Sequence, residues 1–428
     1  MDISLIHSLF LKCDSVAIDT RKIEPKSLFI ALKGENFDAN TFAKEALEKG
    51  ASYVIIDNEN YFIDHRTLLV ENSLAVLQEL AKYHRQYLKV PIIALTGSNG
   101  KTTTKELINV VLSKKFKTRA TVGNLNNHIG VPLTLLSFDS ETELGIVEMG
   151  ANHKKEIEFL CELAVPDFGY ITNFGKAHLE GFGGVEGVII GKSEMYNYIS
   201  ANDKLAFINL DDKIQVEKSK TFKSYTFGIN KENADVNISS IVANPFVEIR
   251  YSDLLIRTHL IGLYNANNIN AALTIGKYFG VGDREIKAAL ESYIPANNRS
   301  QLITKGTNRI ILDAYNANPS SMAVAIENFL QLDNVNKVMV LGDMFELGTE
   351  SFQEHKAIVD LVLEEKDIVC YFIGKEFYNN CIDKTNFHFY DTFDGFSDYL
   401  KSAKIENSSI LIKGSRGMAL ERTLNLLR

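Results

Sequence analysis

Pro91-Ile92-Ile93-Ala94-Leu95-Thr96-Gly97-Ser98-Asn99-Gly100-Lys101-Thr102-Thr103-Thr104 is the stretch on which the fold turns. An apolar, partly β-branched run leads into a glycine-containing turn. The turn opens a helix-like segment with Leu107, Ile108, Val111 and Leu112 on one face. Strand, glycine turn and helix in this order are the setting a phosphate loop requires. Glycine lets backbone N–H groups converge on phosphate, and the helix N-terminus adds a partial positive charge. In this reading Gly97, Ser98, Asn99, Gly100, Lys101, Thr102 and Thr103 cradle phosphates. Lys101 neutralises the β- and γ-phosphates, and the Thr102 hydroxyl ligates Mg²⁺. The strict spacing places a glycine at position 95, where this chain has leucine, so Gly97 supplies the flexibility instead. A glycine turn that merely caps a helix is the plainer alternative.

The same unit recurs along the chain. Ile310-Ile311-Leu312 precedes Asp313, Val338-Met339-Val340-Leu341 precedes Gly342-Asp343, and Ile410-Leu411-Ile412 precedes Lys413-Gly414. Alternation of this kind predicts βαβ units and mainly parallel sheets, in which ligands sit at the carboxyl ends of the strands. From about Tyr225 to Leu260 the pattern changes. Val247-Glu248-Ile249-Arg250-Tyr251 alternates apolar and polar residues, which predicts a small antiparallel insertion.

At roughly 150 residues per domain, 428 residues suggest about three domains. Boundaries are expected near residues 89 and 297, giving segments 1–89, 90–296 and 297–428. The fold expected is therefore α/β. A central parallel sheet carries the phosphate loop and the antiparallel insertion, between an N-terminal α/β domain and a C-terminal Rossmann-like one. With 46 basic against 54 acidic residues the net charge is −8, which gives no electrostatic reason to expect nucleic acid as a partner. The four cysteines are scattered without a CxxC pair, as in reduced cytosolic thiols. No apolar run approaches the ~18 residues that span a bilayer, and the N-terminus lacks a signal-peptide pattern. A cytoplasmic chain without membrane insertion is the expectation.

Several polar residues stand just past predicted strand ends. Glu148 follows Gly145-Ile146-Val147, and an oxygen ligand there suits Mg²⁺. His178 lies in Thr172-Asn173-Phe174-Gly175-Lys176-Ala177-His178, after another strand, and by itself reads as a buried structural histidine. Lys192, on a predicted helix, reads as a surface lysine. Asn265 and Asn268 share one helix face, where capping is the ordinary role. Arg299 sits at the second boundary, from which its guanidinium reaches a γ-phosphate only when the domains close. For Asp313 the ordinary reading is an exposed turn aspartate.

The loop Thr-Gly-x-Asn-Gly-Lys-Thr resembles that of the Mur ligases and their relatives, the folylpolyglutamate synthetases. The resemblance runs along nearly the whole chain. It implies ATP as the nucleotide, with Asn265 and Asn268 facing base and ribose, Asp313 on the ribose and Arg299 on the γ-phosphate. It also implies two Mg²⁺ sites, in which Thr102, Glu148, His178 and Lys192 take part. Lys192, in Gly191-Lys192-Ser193-Glu194, matches the family lysine that CO₂ converts to a carbamate. Lys101, His178, Lys192 and Arg299 are then the catalytic set.

Asp313-Ala314-Tyr315-Asn316-Ala317-Asn318-Pro319-Ser320 resembles the D-alanyl-D-alanine-adding branch of the family, as do Leu341-Gly342-Asp343-Met344-Phe345-Glu346-Leu347-Gly348 and Lys413-Gly414-Ser415-Arg416. Asp19-Thr20-Arg21 resembles the uridine-nucleotide-binding domain, although Pro25-Lys26-Ser27 stands where the family usually has Pro-Gly-Asp. Gly123-Asn124-Leu125-Asn126-Asn127-His128 looks like the loop that meets the muramoyl substrate. Substrate contacts are thus expected from Asp19, Thr20, Arg21, Asn126, Asn127, Tyr315, Asn316, Asn318 and Arg416. The resemblance implies a monomeric ligase joining UDP-N-acetylmuramoyl-tripeptide to D-alanyl-D-alanine. The alternatives are another ligase of the same type, a folylpolyglutamate synthetase, or a nucleotide-binding module without catalysis. Binding alone would not need Glu148, His178, Lys192, Arg299 and Asp313 together.

Overall fold

The computed structural model describes residues 2–296, 298–333 and 336–427. Asn297, at the expected second boundary, lies outside the described residues. Three main sheets follow one another along the chain.

The first sheet has four parallel strands in the order Ser15–Ala17, Ser27–Ile30, Tyr53–Ile56 and Thr67–Leu69. The helix Ser73–Leu88 leads out of it. Asn72 starts this helix by accepting from the Ala75 N–H, and Lys89 ends it in a left-handed conformation at φ 54°. The helix is bolted to the central domain rather than left as a free linker. Arg85, buried, pairs with Asp167 at 2.9 Å and donates to the Ala164 carbonyl.

The central sheet has nine strands, five of which form its parallel heart: Lys223–Ile229, Leu205–Asn209, Phe168–Ile171, Ile92–Thr96 and Leu144–Glu148, with Thr118–Ala120 at the edge. The expected antiparallel strands are present as Val236–Ala243, Phe246–Tyr251 and Leu254–Ile261. They continue the ladder of the same sheet, because Val236–Ala243 pairs in parallel with Lys223–Ile229 before the direction reverses. Ile92 to Thr96 are all buried, as a strand covered on both faces by helices must be. The helix Lys101–Leu112 packs against this sheet through Leu107, Ile108, Val111 and Leu112, all fully buried. Truncating one of them to alanine would remove about 2–5 kcal/mol of stability.

The third sheet runs Gln301–Lys305, Asn308–Asp313, Ser409–Lys413, Lys337–Gly342, Ile368–Ile373 and Phe387–Tyr390. Only the first of these strands is antiparallel to its neighbour. The strand order steps sideways between Asp313 and Gly342, which is where open α/β sheets take ligands. Among the described residues, no helix is long and apolar enough to cross a membrane.

Candidate active site

A cavity of about 830 Å³ opens where the carboxyl ends of the central strands face those of the C-terminal sheet. Its floor is the phosphate loop, contributing Ser98 to Thr103. Gly97 lies beneath and is forced to be glycine. Its φ is +143°, and a Cβ there would stand 2.0 Å from the Thr172 hydroxyl oxygen. Gly100 (φ +78°) admits no side chain either, because Asn268 Oδ1 would lie 2.5 Å from a Cβ. Leu95, where the strict motif has glycine, is buried inside the strand. The loop takes its first glycine two positions later than the strict spacing, with Gly97 as its hinge.

The loop is held from behind by its neighbours. Asn173 Oδ1 accepts from the Asn99 N–H at 3.1 Å, and Asn173 Nδ2 donates to the Asn99 carbonyl. Ser98 Oγ donates to the Gly175 carbonyl. The Lys101 ammonium folds back onto the Gly97 carbonyl at 2.8 Å, the place a phosphate would draw it from. Enclosure of that ammonium pushes the amine below the usual lysine range, with the Glu148 charge opposing the shift.

Asn265 and Asn268 are buried and line the cavity, and neither caps its helix by accepting a terminal N–H. They form a chain instead. Thr104 Oγ1 donates to Asn268 Oδ1 at 3.0 Å, Asn268 Nδ2 to Asn265 Oδ1, and Asn265 Nδ2 to the Ile261 carbonyl. This fixes their amide orientation toward the phosphate-loop helix.

Glu148 ends its strand with one carboxylate oxygen satisfied by Asn126 Nδ2 at 2.8 Å. The other oxygen, Oε2, is buried without a partner. A buried carboxylate oxygen lacking a donor suits a cation. His178 is not the buried structural histidine that its sequence context allows. It is held at φ +53°, faces the cavity, and pairs through Nδ1 with the Glu346 carboxylate of the C-terminal domain. Among the described residues no three His, Cys, Asp or Glu side chains converge. A Mg²⁺ here would therefore rest on Glu148, the Thr102 hydroxyl, the His178 imidazole and phosphate oxygens, a donor set with which the site is compatible.

Lys192 corrects its sequence reading most sharply. The helix that carries it packs inward, and the side chain is fully buried rather than on the surface. Its Nζ donates to the Ala151 carbonyl at 3.1 Å, and Ala151 itself lines the cavity. Burial, and after it the nearby Lys101 charge, hold this amine well below the ordinary lysine value. Two residues on, Glu194 accepts from the N–H groups of Lys155 and Glu158 and so fixes the loop opposite.

From the C-terminal side come Arg299, Asp313, Tyr315, Asn316 and Asn318. The Arg299 guanidinium lies 3.6 Å from the Tyr315 ring centroid, stacked on it and aimed along the cavity wall. Asp313 is not an exposed turn residue. It receives Lys413 Nζ at 2.6 Å and the Ser300 N–H at 3.0 Å. Asn127 also lines the cavity, but its Oδ1 is occupied by the Gly130 N–H. Asp19, Thr20, Arg21 and Arg416 do not line it. Asp19 and Arg21 pair with each other at the surface of the first domain, and Arg416 pairs with Glu421. Asn173, Lys413 and Glu346 stood in the sequence only within longer strings and were given no role of their own, although Asn173 lies just past the strand Phe168–Ile171.

Three family descriptions cover this architecture: Mur ligase family, catalytic domain, over residues 12–87; Mur ligase middle domain over 95–276; and Mur ligase, glutamate ligase domain, over 298–416. The UDP-N-acetylmuramoyl-tripeptide--D-alanyl-D-alanine ligase of Bacillus subtilis (strain 168) is 36% identical over 416 residues, 95% of this chain and 91% of the relative. The chain belongs to the Mur ligase family. The same-named ligase of Escherichia coli (strain K12) is 33% identical over 97% of this chain and 94% of its own length. Among solved structures of the family, MurF from Acinetobacter baumannii superposes with a TM-score of 0.86 at 31% identity, covering 99% of this chain and 97% of that one. MurF ligase from Thermotoga maritima in complex with ADP gives 0.82 at 28% identity, with 97% of each chain covered.

Proposed function

We infer that this chain is an ATP-dependent ligase that joins D-alanyl-D-alanine to UDP-N-acetylmuramoyl-tripeptide in peptidoglycan precursor synthesis. The observation that carries the reading is the convergence of phosphate loop, unpartnered Glu148 oxygen and Asp313–Asn318 segment on one cavity between two domains. Kinship with ligases of that printed name supplies the substrates.

The terminal carboxylate of the tripeptide attacks the γ-phosphorus of ATP and expels ADP. The acyl phosphate formed is attacked by the amine of D-alanyl-D-alanine, and phosphate leaves as the amide forms. Phosphoryl transfer needs positioning and charge stabilisation more than covalent help. Backbone N–H groups of Ser98 to Thr103 seat the phosphates, Lys101 swings from the Gly97 carbonyl to them, and Arg299 meets the γ-phosphate from the far wall. Asn265, Asn268 and Asp313 hold the nucleoside. Thr102, Glu148 and His178 would hold Mg²⁺, which supplies positive charge to the transferring phosphoryl group. Closure of the two domains keeps water from the acyl phosphate.

Lys192 is proposed to carry a carbamate. The reaction needs a neutral amine, which its burial favours. A new N–C bond to CO₂ forms, a proton leaves the nitrogen, and a buried neutral amine becomes an anion beside the metal site. Asp19, Thr20 and Arg21 are assigned to the uridine nucleotide, and Asn126, Asn127, Tyr315, Asn316 and Arg416 to the peptidyl substrate and the incoming dipeptide. Residues 1–89, 90–296 and 297–428 form the three domains of a monomeric, cytoplasmic enzyme.

The test is phosphate release from ATP with UDP-N-acetylmuramoyl-tripeptide, with and without D-alanyl-D-alanine, with the product weighed. Release that requires the dipeptide and a matching pentapeptide mass supports the reading. A sample that binds ATP but turns over neither the lysine nor the diaminopimelate form of the tripeptide sinks it.

A further inference from the structure

The contact between His178 and Glu346 joins residues 168 positions apart and crosses from the central to the C-terminal domain. A carboxylate can only accept, so the proton of the neutral imidazole sits on Nδ1 and the Nε2 lone pair is left free. A carboxylate behind a ligating imidazole fixes its ring and raises its basicity.

The backbone around Glu346 is built to hold it there. Glu346 has φ +62°, a left-handed conformation that side chains rarely adopt. Just ahead of it the segment is pinned: Met344 N–H donates to His355 Nε2 and Phe345 N–H to Ser415 Oγ. The Glu346 carbonyl in turn accepts from the Glu180 N–H, two residues beyond His178. His355 is fully buried, and its Nδ1 is committed to the Ser351 carbonyl, so its Nε2 must be the acceptor that anchors this loop. Glu346 does not itself line the cavity. Among the described residues, the one side-chain hydrogen-bond partner of its carboxylate is His178.

We propose that Glu346 is a positioning residue that completes the metal site from the opposite domain, orienting His178 so that its Nε2 faces the cation only while the domains are closed. Metal binding and closure are thereby coupled, since opening the domains withdraws the carboxylate from the imidazole. The inference rests on the assignment of His178 as a metal ligand. A second ion pair across the same interface, Lys176 with Glu354, offers an internal control, because it ties the domains together without touching His178.

The experiment is a Mn²⁺ titration of the protein with ADP, read by electron paramagnetic resonance, which requires neither tripeptide nor turnover. Glu346→Ala should weaken one class of Mn²⁺ site about tenfold to a hundredfold. It should match His178→Ala in which class is affected, with the melting temperature unchanged. Glu346→Gln, whose amide oxygen still accepts from Nδ1, should recover most of the loss. Glu354→Ala should leave Mn²⁺ binding as in the parent. Wild-type Mn²⁺ binding in Glu346→Ala overturns the proposal. Equal weakening by Glu354→Ala overturns it too, since closure alone would then explain the effect. If His178→Ala binds Mn²⁺ normally, the ligand assignment falls with it, while ligation by the intact enzyme is judged separately by its product.

Discussion

Asn318 Nδ2 donates to Asn99 Oδ1 at 2.7 Å, joining the head of a C-terminal helix to the tip of the phosphate loop. The two side chains are 219 residues apart in sequence. Asn318 does a second thing: its own Oδ1 accepts from the Ser321 N–H and caps the helix Pro319–Leu330. Asn318→Asp keeps the cap, worth about 1 kcal/mol, and removes the donor to Asn99. The expected result is an ATP KM raised about fivefold, from the loss of about 1 kcal/mol of hydrogen bonding, with little change in melting temperature. A drop in melting temperature with KM unmoved would reduce Asn318 to a helix cap.

Lys192→Arg keeps a long basic side chain but cannot be carbamylated. We expect kcat to fall at least about a hundredfold, as for the loss of one charge-stabilising group, while ADP affinity stays within a few-fold. Protein equilibrated with ¹³C-labelled bicarbonate should show a carbamate carbon resonance that Lys192→Arg lacks. The absence of that resonance in the active parent enzyme would remove the carbamate from the account.

His7 and His84 form a buried pair, Nε2 to Nδ1 at 3.0 Å, and His84 Nε2 reaches the Phe138 carbonyl of the central domain at 2.9 Å. Burial holds both below the ordinary histidine value. The unfolded chain therefore binds protons first as pH falls, so stability is full above the unfolded value of about 6.5 and declines from there toward the depressed folded values. Urea midpoints measured from about pH 8 to about pH 5 should fall through this window. His84→Gln, which can serve both hydrogen bonds without titrating, should flatten the decline. An equally steep decline in that variant would place its origin elsewhere.

Lys26 occupies a left-handed turn at φ 61°, at the position where the family usually has glycine. A side chain there is strained by roughly 1 kcal/mol. Lys26→Gly should raise the unfolding free energy by up to about that amount, partly offset by the greater freedom of glycine in the unfolded chain. Destabilisation by the change would mean that the Lys26 side chain makes a compensating contact.

The phosphate loop was legible because its information is local: apolar strand, glycine turn and helix follow one another between Ile92 and Leu112. The parallel sheets were legible for the same reason, unit by unit. Lys192 was not, since nothing near it says that its helix turns that face inward against Phe182 and Ala151. Glu346 was quoted only as part of a family string, because its meaning depends on a contact made across a domain interface. Asp19 and Arg21 pair with each other on the first domain, apart from the cavity, as a motif read from a separate domain would. The antiparallel insertion was read correctly as strands, but its fusion to the parallel sheet depended on which edge stood open, a property of the assembled domain.

The most direct measurement of the central claim follows an oxygen atom. UDP-N-acetylmuramoyl-tripeptide labelled with oxygen-18 in its terminal carboxylate is turned over with ATP and D-alanyl-D-alanine, and the released phosphate is weighed. Activation through an acyl phosphate predicts that one labelled oxygen passes from each carboxylate to phosphate as the pentapeptide forms. Pentapeptide formed with unlabelled phosphate would contradict it.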